Sequence, residues 1–97
     1  MKHIRWDEEK NEWLKRERGV CFEQIVVLME QKALLDIVDN PNQEKYPGQR
    51  IAIATIEGYA YLVPYEETGN EIELKTIIPS RKATRTYLGD THEKDNP

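Results

Sequence analysis

Four cations stand within thirteen residues near the end of this chain. They are Lys75, Arg81, Lys82 and Arg85, in the run KTIIPSRKATRTY at residues 75–87. That run holds no acid, while the 97-residue chain has a net charge of −4, so the remaining residues sum to −8. Lys75 falls in a predicted strand, and Arg81 opens a predicted helix capped by Ser80. Arg81 and Lys82 then take the first two helical positions, where cations oppose the helix dipole at roughly 0.3–1 kcal/mol each. A helix selected for stability alone carries acids there. Cations at that end make sense when an anion binds, because free backbone N–H groups, the positive dipole end and two side-chain charges converge on one phosphate. Arg85, four residues after Arg81, shares its face. A solvated basic helix face is the plain alternative.

The rest of the chain limits what such a site could run. Its histidines, His3 and His92, lie near the termini, which disfavours a histidine-based nuclease or a Ser-His-Asp hydrolase. Cys21 lacks an evident histidine partner and reads better as a helix cap or small packed residue. Asp36 and Asp39 could supply a carboxylate-only magnesium site, but no cofactor is called for. Metal-free RNA cleavage stays open, since RNA supplies its own 2′-hydroxyl nucleophile. The protein then needs in-line geometry, charge stabilisation at phosphorus and modest acid–base help. A lysine among other cations has its pKa lowered and could give that help. Tyrosines such as Tyr59 and Tyr87 can stack on unpaired bases, with core or sheet packing as their ordinary role.

The positioning elements follow in chain order. Residues 2–6 read as a short lead-in. Asp7 caps a helix that runs to about Arg18, with Glu8 and Glu9 in its first turn and Gly19 just past its end. Cys21 and Gln24 form a weakened capping box, and Val20 and Ile25 a hydrophobic staple. The helix they start spans about 22–31 and carries Phe22, Ile25, Val26 and Met29 on one face. Residues 34–38 read as a short strand, followed by a Pro- and Gly-containing loop over 40–48. Strands follow at 50–56, 59–65 and 72–78, turned at Glu57-Gly58 and Thr68-Gly69-Asn70. Pro64 marks an edge or a bulge. The sequence thus predicts an α+β fold of two N-terminal helices, a four-stranded mainly antiparallel sheet and a C-terminal helix ending at Gly89. One apolar sheet face is expected to pack on the second helix. By strand alternation, Lys75 and Thr76 face opposite ways.

Length and composition allow one domain, residues 1–88, with a polar, disordered tail at 89–97. Apolar residues make up 38% of the chain and charged residues 33%, a balance typical of a compact domain. No apolar run approaches the roughly 20 residues that cross a bilayer, and the start is not a signal peptide. A lone cysteine fits a reducing compartment, so the expected location is cytoplasmic, without membrane association.

Three motifs resemble one family. Trp6-Asp7-Glu8-Glu9-Lys10-Asn11, Gly19-Val20-Cys21-Phe22-Glu23 and Ile77-Ile78-Pro79-Ser80-Arg81-Lys82-Ala83-Thr84 are similar, in order, to motifs of the BrnT-type toxins. The chain is identified as a divergent member. Thr76 stands where the family often has arginine, Arg18-Gly19 replaces the common Lys-His-Gly, and the toxins are generally more basic. The resemblance implies a RelE-like α+β fold and a ribonuclease toxin of a type II toxin–antitoxin pair, which blocks translation by cutting RNA. It also implies a ribbon-helix-helix antitoxin as partner, with the complex repressing its own promoter. Such toxins are commonly neutralised by a segment over the basic site, so an acidic partner segment is expected at residues 81–85.

Together these readings place Arg81 and Lys82 on phosphate, with Arg50 and Lys75 assisting catalysis, and Arg85, Ser80, Tyr87 and Tyr59 binding RNA. No metal is required. Self-association is left open. The competing expectation is a non-catalytic RNA- or protein-binding domain on the same fold.

Overall fold

The computed structural model describes residues 2–89; the expected tail from residue 90 onward lies outside the described residues. The chain forms an α+β domain of three helices on a mixed sheet of six strands. The first strand, β1 (His3–Arg5), replaces the expected lead-in and pairs in parallel with a much later strand. Helix α1 (Glu8–Arg18) starts as its sequence predicts: the Asp7 side chain accepts from the Glu9 N–H at 2.9 Å. It stops at Gly19, whose φ of 69° is left-handed, a conformation glycine reaches without a Cβ penalty. Helix α2 (Phe22–Glu30) follows, and the Cys21 N–H donates to the Gln24 side chain at 2.9 Å, so the weak capping box is real.

Strands β2 (Asp36–Asp39), β3 (Arg50–Ile56), β4 (Tyr59–Thr68) and β5 (Glu71–Leu74) form an antiparallel meander. Glu57 (φ 52°) and Gly58 (φ 80°) both have positive φ, as a two-residue hairpin turn that matches strand twist demands. The expected strand at 72–78 is interrupted. It ends at Leu74, and a separate two-residue strand, β6 (Ile78–Pro79), rejoins β4 further along the same edge.

Pro64 gives the physical reason for the break. Its carbonyl accepts from the Lys75 N–H at 2.8 Å, so its nitrogen, which points the same way in an extended strand, faces the same neighbour. That nitrogen has no hydrogen to offer, and the neighbouring strand is interrupted there. Pro64 therefore sits in a central strand rather than at an edge. The sheet order is β1-β5-β4-β3-β2, with β6 beside β5 on β4. Six strands with a parallel outer pair correct the expectation of four mainly antiparallel ones. The parallel pairing links residues 68 positions apart, such as His3 with Glu71, and no local pattern announces it.

Both sheet faces are covered, which corrects the single apolar face. On one, Leu14, Phe22 and Ile25 of α1 and α2 bury against Ala52, Ala54, Val63 and Tyr65. On the other, α3 (Arg81–Leu88) sets Ala83, Tyr87 and Leu88 against Ile53, Ala60 and Leu62. Strand alternation makes this possible, since neighbours in β3 and β4 send successive side chains to opposite faces.

Candidate functional site

The start of α3 is fixed by a compact set of hydrogen bonds. Ser80 is the N-cap, and its Oγ accepts from the Ala83 N–H at 3.0 Å. The Ser80 N–H donates to the Ala60 carbonyl at 3.0 Å, tying the cap to β4. Thr84 closes the set: its hydroxyl donates to the Ser80 carbonyl at 2.8 Å and accepts from the Ala60 N–H at 2.9 Å. Ala83 is only 7% exposed, against Ile53 and Ala60. In the run Ser80-Arg81-Lys82-Ala83-Thr84, the Ser, Ala and Thr therefore hold the helix to the sheet, and Arg81 and Lys82 project outward, both exposed.

The cations of the protein divide into those with a carboxylate partner and those without. Lys2, Arg5, Lys15, Arg16, Arg50 and Lys75 each face a carboxylate. Among the described residues, Arg81 and Lys82 have no ion pair, and neither have Lys10, Arg18 and Lys45, which lie over aromatic rings, or Lys32; what distinguishes Arg81 and Lys82 is their place at a helix start. They stand at helix positions whose N–H groups have no intrahelical acceptor. Arg85, also exposed, lies one turn further on.

The structure does not gather the remaining candidates into one cluster. Arg50 lies on the α2 side of the sheet, opposite Tyr65 in the register, and reaches Asp39 at 3.6 Å. Tyr59 lies on that same side by alternation and packs edge-on against Tyr61, ring centroids 5.8 Å apart. Neither shares a face with α3. Tyr87 sits near the far end of α3, about 9 Å along the axis from Arg81, and its hydroxyl donates to Asp36 at 2.8 Å. That bond raises the Tyr87 pKa, helped by burial and the Asp36 charge.

Lys75 does reach the α3 face. Because β5 ends at Leu74, alternation no longer separates Lys75 from Thr76, and both line one cleft there. Lys75 Nζ lies 3.2 Å from Glu66 and 3.3 Å from Glu73. Burial alone would push its pKa down, but the hydrogen bonds and charges of the two glutamates outweigh burial and raise it. Lys75 is thus a permanent cation rather than the proton donor or acceptor near neutrality that neighbouring cations would have made of it.

Three residues outside the expected site hold it in place. Asn11 is fully buried; its side chain accepts from the Phe22 N–H at 2.8 Å and donates to Glu23 at 2.9 Å, locking α1 to the start of α2. The signal was present, since Asn11 lies three residues before the buried Leu14 on the same helix face. Arg18 stacks over Trp13, 4.9 Å from its centroid, and donates to the Ile77 carbonyl at 2.6 Å. It thereby pins the segment 75–77 that leads into α3. Thr84 is the third. Asp36 and Asp39 are engaged by Tyr87 and Arg50, and among the described residues no group of three or more His, Cys, Asp or Glu side chains could hold a metal. Among those residues, no helix is long and apolar enough to cross a membrane.

The fold is a small α+β domain whose anchored helix start carries two exposed cations without ion pairs. The family model for the ribonuclease toxin BrnT of type II toxin–antitoxin systems matches residues 6–86. The chain belongs to that family, and a toxin of this class has a cognate antitoxin as its partner. No curated protein and no solved structure matches the chain.

Proposed function

We propose that this chain is a metal-independent endoribonuclease that blocks translation by cutting RNA, with the start of α3 as its phosphate site. The observation that carries the reading is that Arg81 and Lys82, exposed and without carboxylate partners, occupy the first two positions of a helix anchored to the sheet, where its free N–H groups and positive end add to their charge. In this reading the RNA 2′-hydroxyl attacks the adjacent phosphorus, its proton leaves to a base, and the bond to the 5′-oxygen breaks as that oxygen takes a proton from an acid or from water. The products are a 2′,3′-cyclic phosphate and a 5′-hydroxyl. Arg81 and Lys82, with the first N–H groups of α3, stabilise the extra negative charge on phosphorus, an effect worth on the order of a hundredfold per donor. Lys75, on the same sheet face, assists as a hydrogen-bond donor whose charge is balanced by Glu66 and Glu73. Ser80 shapes the terminus, and Arg85 extends the basic face along the RNA. The partner is a ribbon-helix-helix antitoxin whose acidic segment covers residues 81–85, and the pair acts in the cytoplasm.

The test is expression of the chain without a partner, with total RNA and growth followed, beside Arg81→Ala and Lys82→Ala. Cleavage that persists in EDTA, leaves 2′,3′-cyclic ends and falls about a hundredfold in each variant supports the reading. Intact RNA with wild-type growth refutes it. A second reading has its own support. Lys75 is neutralised by Glu66 and Glu73, and Arg50 lies on the opposite face, so the site offers charge without an evident proton shuttle. That favours an RNA- or protein-binding domain that does not cut. RNA bound at Arg81 and Lys82 but left intact would select it.

A further inference from the structure

Beside α3, on the same face of the sheet, lies a cleft of about 540 Å³. Ile51, Leu62 and Pro64 form its floor, and Ile78 and Tyr46, each 38% exposed, rise at its sides. Tyr46 belongs to the 40–49 loop, which is pinned. The Asn40 side chain donates to that of Gln49 at 2.7 Å, both residues being buried, and the Gln49 N–H donates to the Tyr46 carbonyl at 3.2 Å. The charged part of the rim is the Glu66–Lys75 pair, 3.2 Å apart, with side chains 44% and 36% exposed. Ile78 precedes Arg81 by three residues, so at most about 11 Å of chain separates the cleft from the phosphate site.

We propose that this cleft is the subsite for one unpaired nucleobase of the RNA, and that guanine is its preferred occupant. The proposal rests on the reading of the α3 start as the phosphate site. An aliphatic floor with an aromatic side suits the flat face of a base, since proteins read single-stranded RNA by stacking and by hydrogen bonds to base edges. The rim sets the identity. The Watson–Crick edge of guanine presents two adjacent N–H donors beside a carbonyl. The Glu66 carboxylate accepts both donors, and the Lys75 ammonium donates to the carbonyl. Adenine and cytosine would each turn a ring-nitrogen acceptor toward Glu66, and uracil offers a single N–H between two carbonyls. Lys75 stays charged at neutral pH for the reason given above, so the donor is permanent.

The test is an NMR titration of the whole chain with each of the four nucleoside 5′-monophosphates. The amides of Arg81 and Lys82 report phosphate, and the methyls of Ile51, Leu62 and Ile78 report the base. GMP is expected to move both sets and to bind about tenfold more tightly than AMP, CMP or UMP, within the range of one good bidentate contact. Glu66→Gln should erase the preference while leaving the amide response. Tyr46→Ala, in the exposed loop, should weaken all four nucleotides. Four nucleotides that move the amides equally and leave the methyls still would overturn the subsite. No response at either set would overturn both the subsite and the phosphate reading. A wild-type chain that selects GMP but leaves RNA intact would uphold the subsite and sink only the cleavage.

Discussion

Replacing Thr84 by valine isolates the bond that seats the site. Valine keeps the branched shape and nearly the volume of threonine, so packing against β4 changes little. What is lost is the hydroxyl that accepts from the Ala60 N–H at 2.9 Å. The Ser80 carbonyl stays satisfied, because the Thr84 N–H also donates to it at 3.0 Å. The cost therefore falls on Ala60, whose residue is wholly buried and whose N–H loses its partner. An orphaned buried donor costs about 1–3 kcal/mol. At about 2 kcal/mol, a domain of this size melts roughly 8–16 °C lower. Thermal denaturation measures the loss, and hydrogen exchange at the Ala60 amide locates it. Thr84→Ser keeps the hydroxyl and should recover most of the melting temperature and the RNA affinity of the α3 start. A Thr84→Val protein that melts within about 4 °C of wild type, the worth of 1 kcal/mol, would refute the reasoning. So would a Thr84→Ser protein that falls as far as the valine variant.

Other perturbations have equally direct outcomes. Asn11→Ala removes both bonds between α1 and α2 and should cost about 2–3 kcal/mol, read by chemical denaturation. The Glu23 carboxyl lies below its ordinary range chiefly because Asn11 donates to it. Its stabilisation is present above the unfolded value of about 4.3 and is lost as pH falls through the depressed folded value. That pH dependence should shrink in Asn11→Ala, as carboxyl NMR titration can check. Lys75 works with the opposite sign. Its folded pKa is raised, so its contribution is complete below the unfolded value of about 10.4 and fades as pH rises through the folded value. Side-chain nitrogen NMR should show no Lys75 titration near neutrality. Arg50→Ala, on the face opposite α3, should leave RNA cleavage well above that of Arg81→Ala; equal losses in a matched assay would mean that both faces touch RNA. Tyr87→Phe removes the tie from α3 to Asp36 and should speed hydrogen exchange in the last turn of α3.

What the sequence determined by itself was local. Asp7, Gly19, Cys21 with Gln24, Ser80 and Gly89 mark the helix ends, because capping depends on residues within a few positions of one another. Glu57-Gly58 fixed the hairpin for the same reason. Arg81 and Lys82 could be placed at the first turn of α3 once Ser80 was read as its cap. The motifs at Trp6, Gly19 and Ile77 carried the family. What only the tertiary structure decided depends on contacts far apart in the chain. The parallel pairing of His3 with Glu71 added a strand where a lead-in was expected. The register of β5 on β4 set Lys75 between Glu66 and Glu73, which raises its pKa. Arg50 carries the right charge for the site, but the alternation and register of β3 put it on the other face of the sheet. Charge is a property of a residue type and can be read along a chain. Which charges meet is set by strand register and by which side of the sheet each helix covers, and those are fixed only when the whole chain packs.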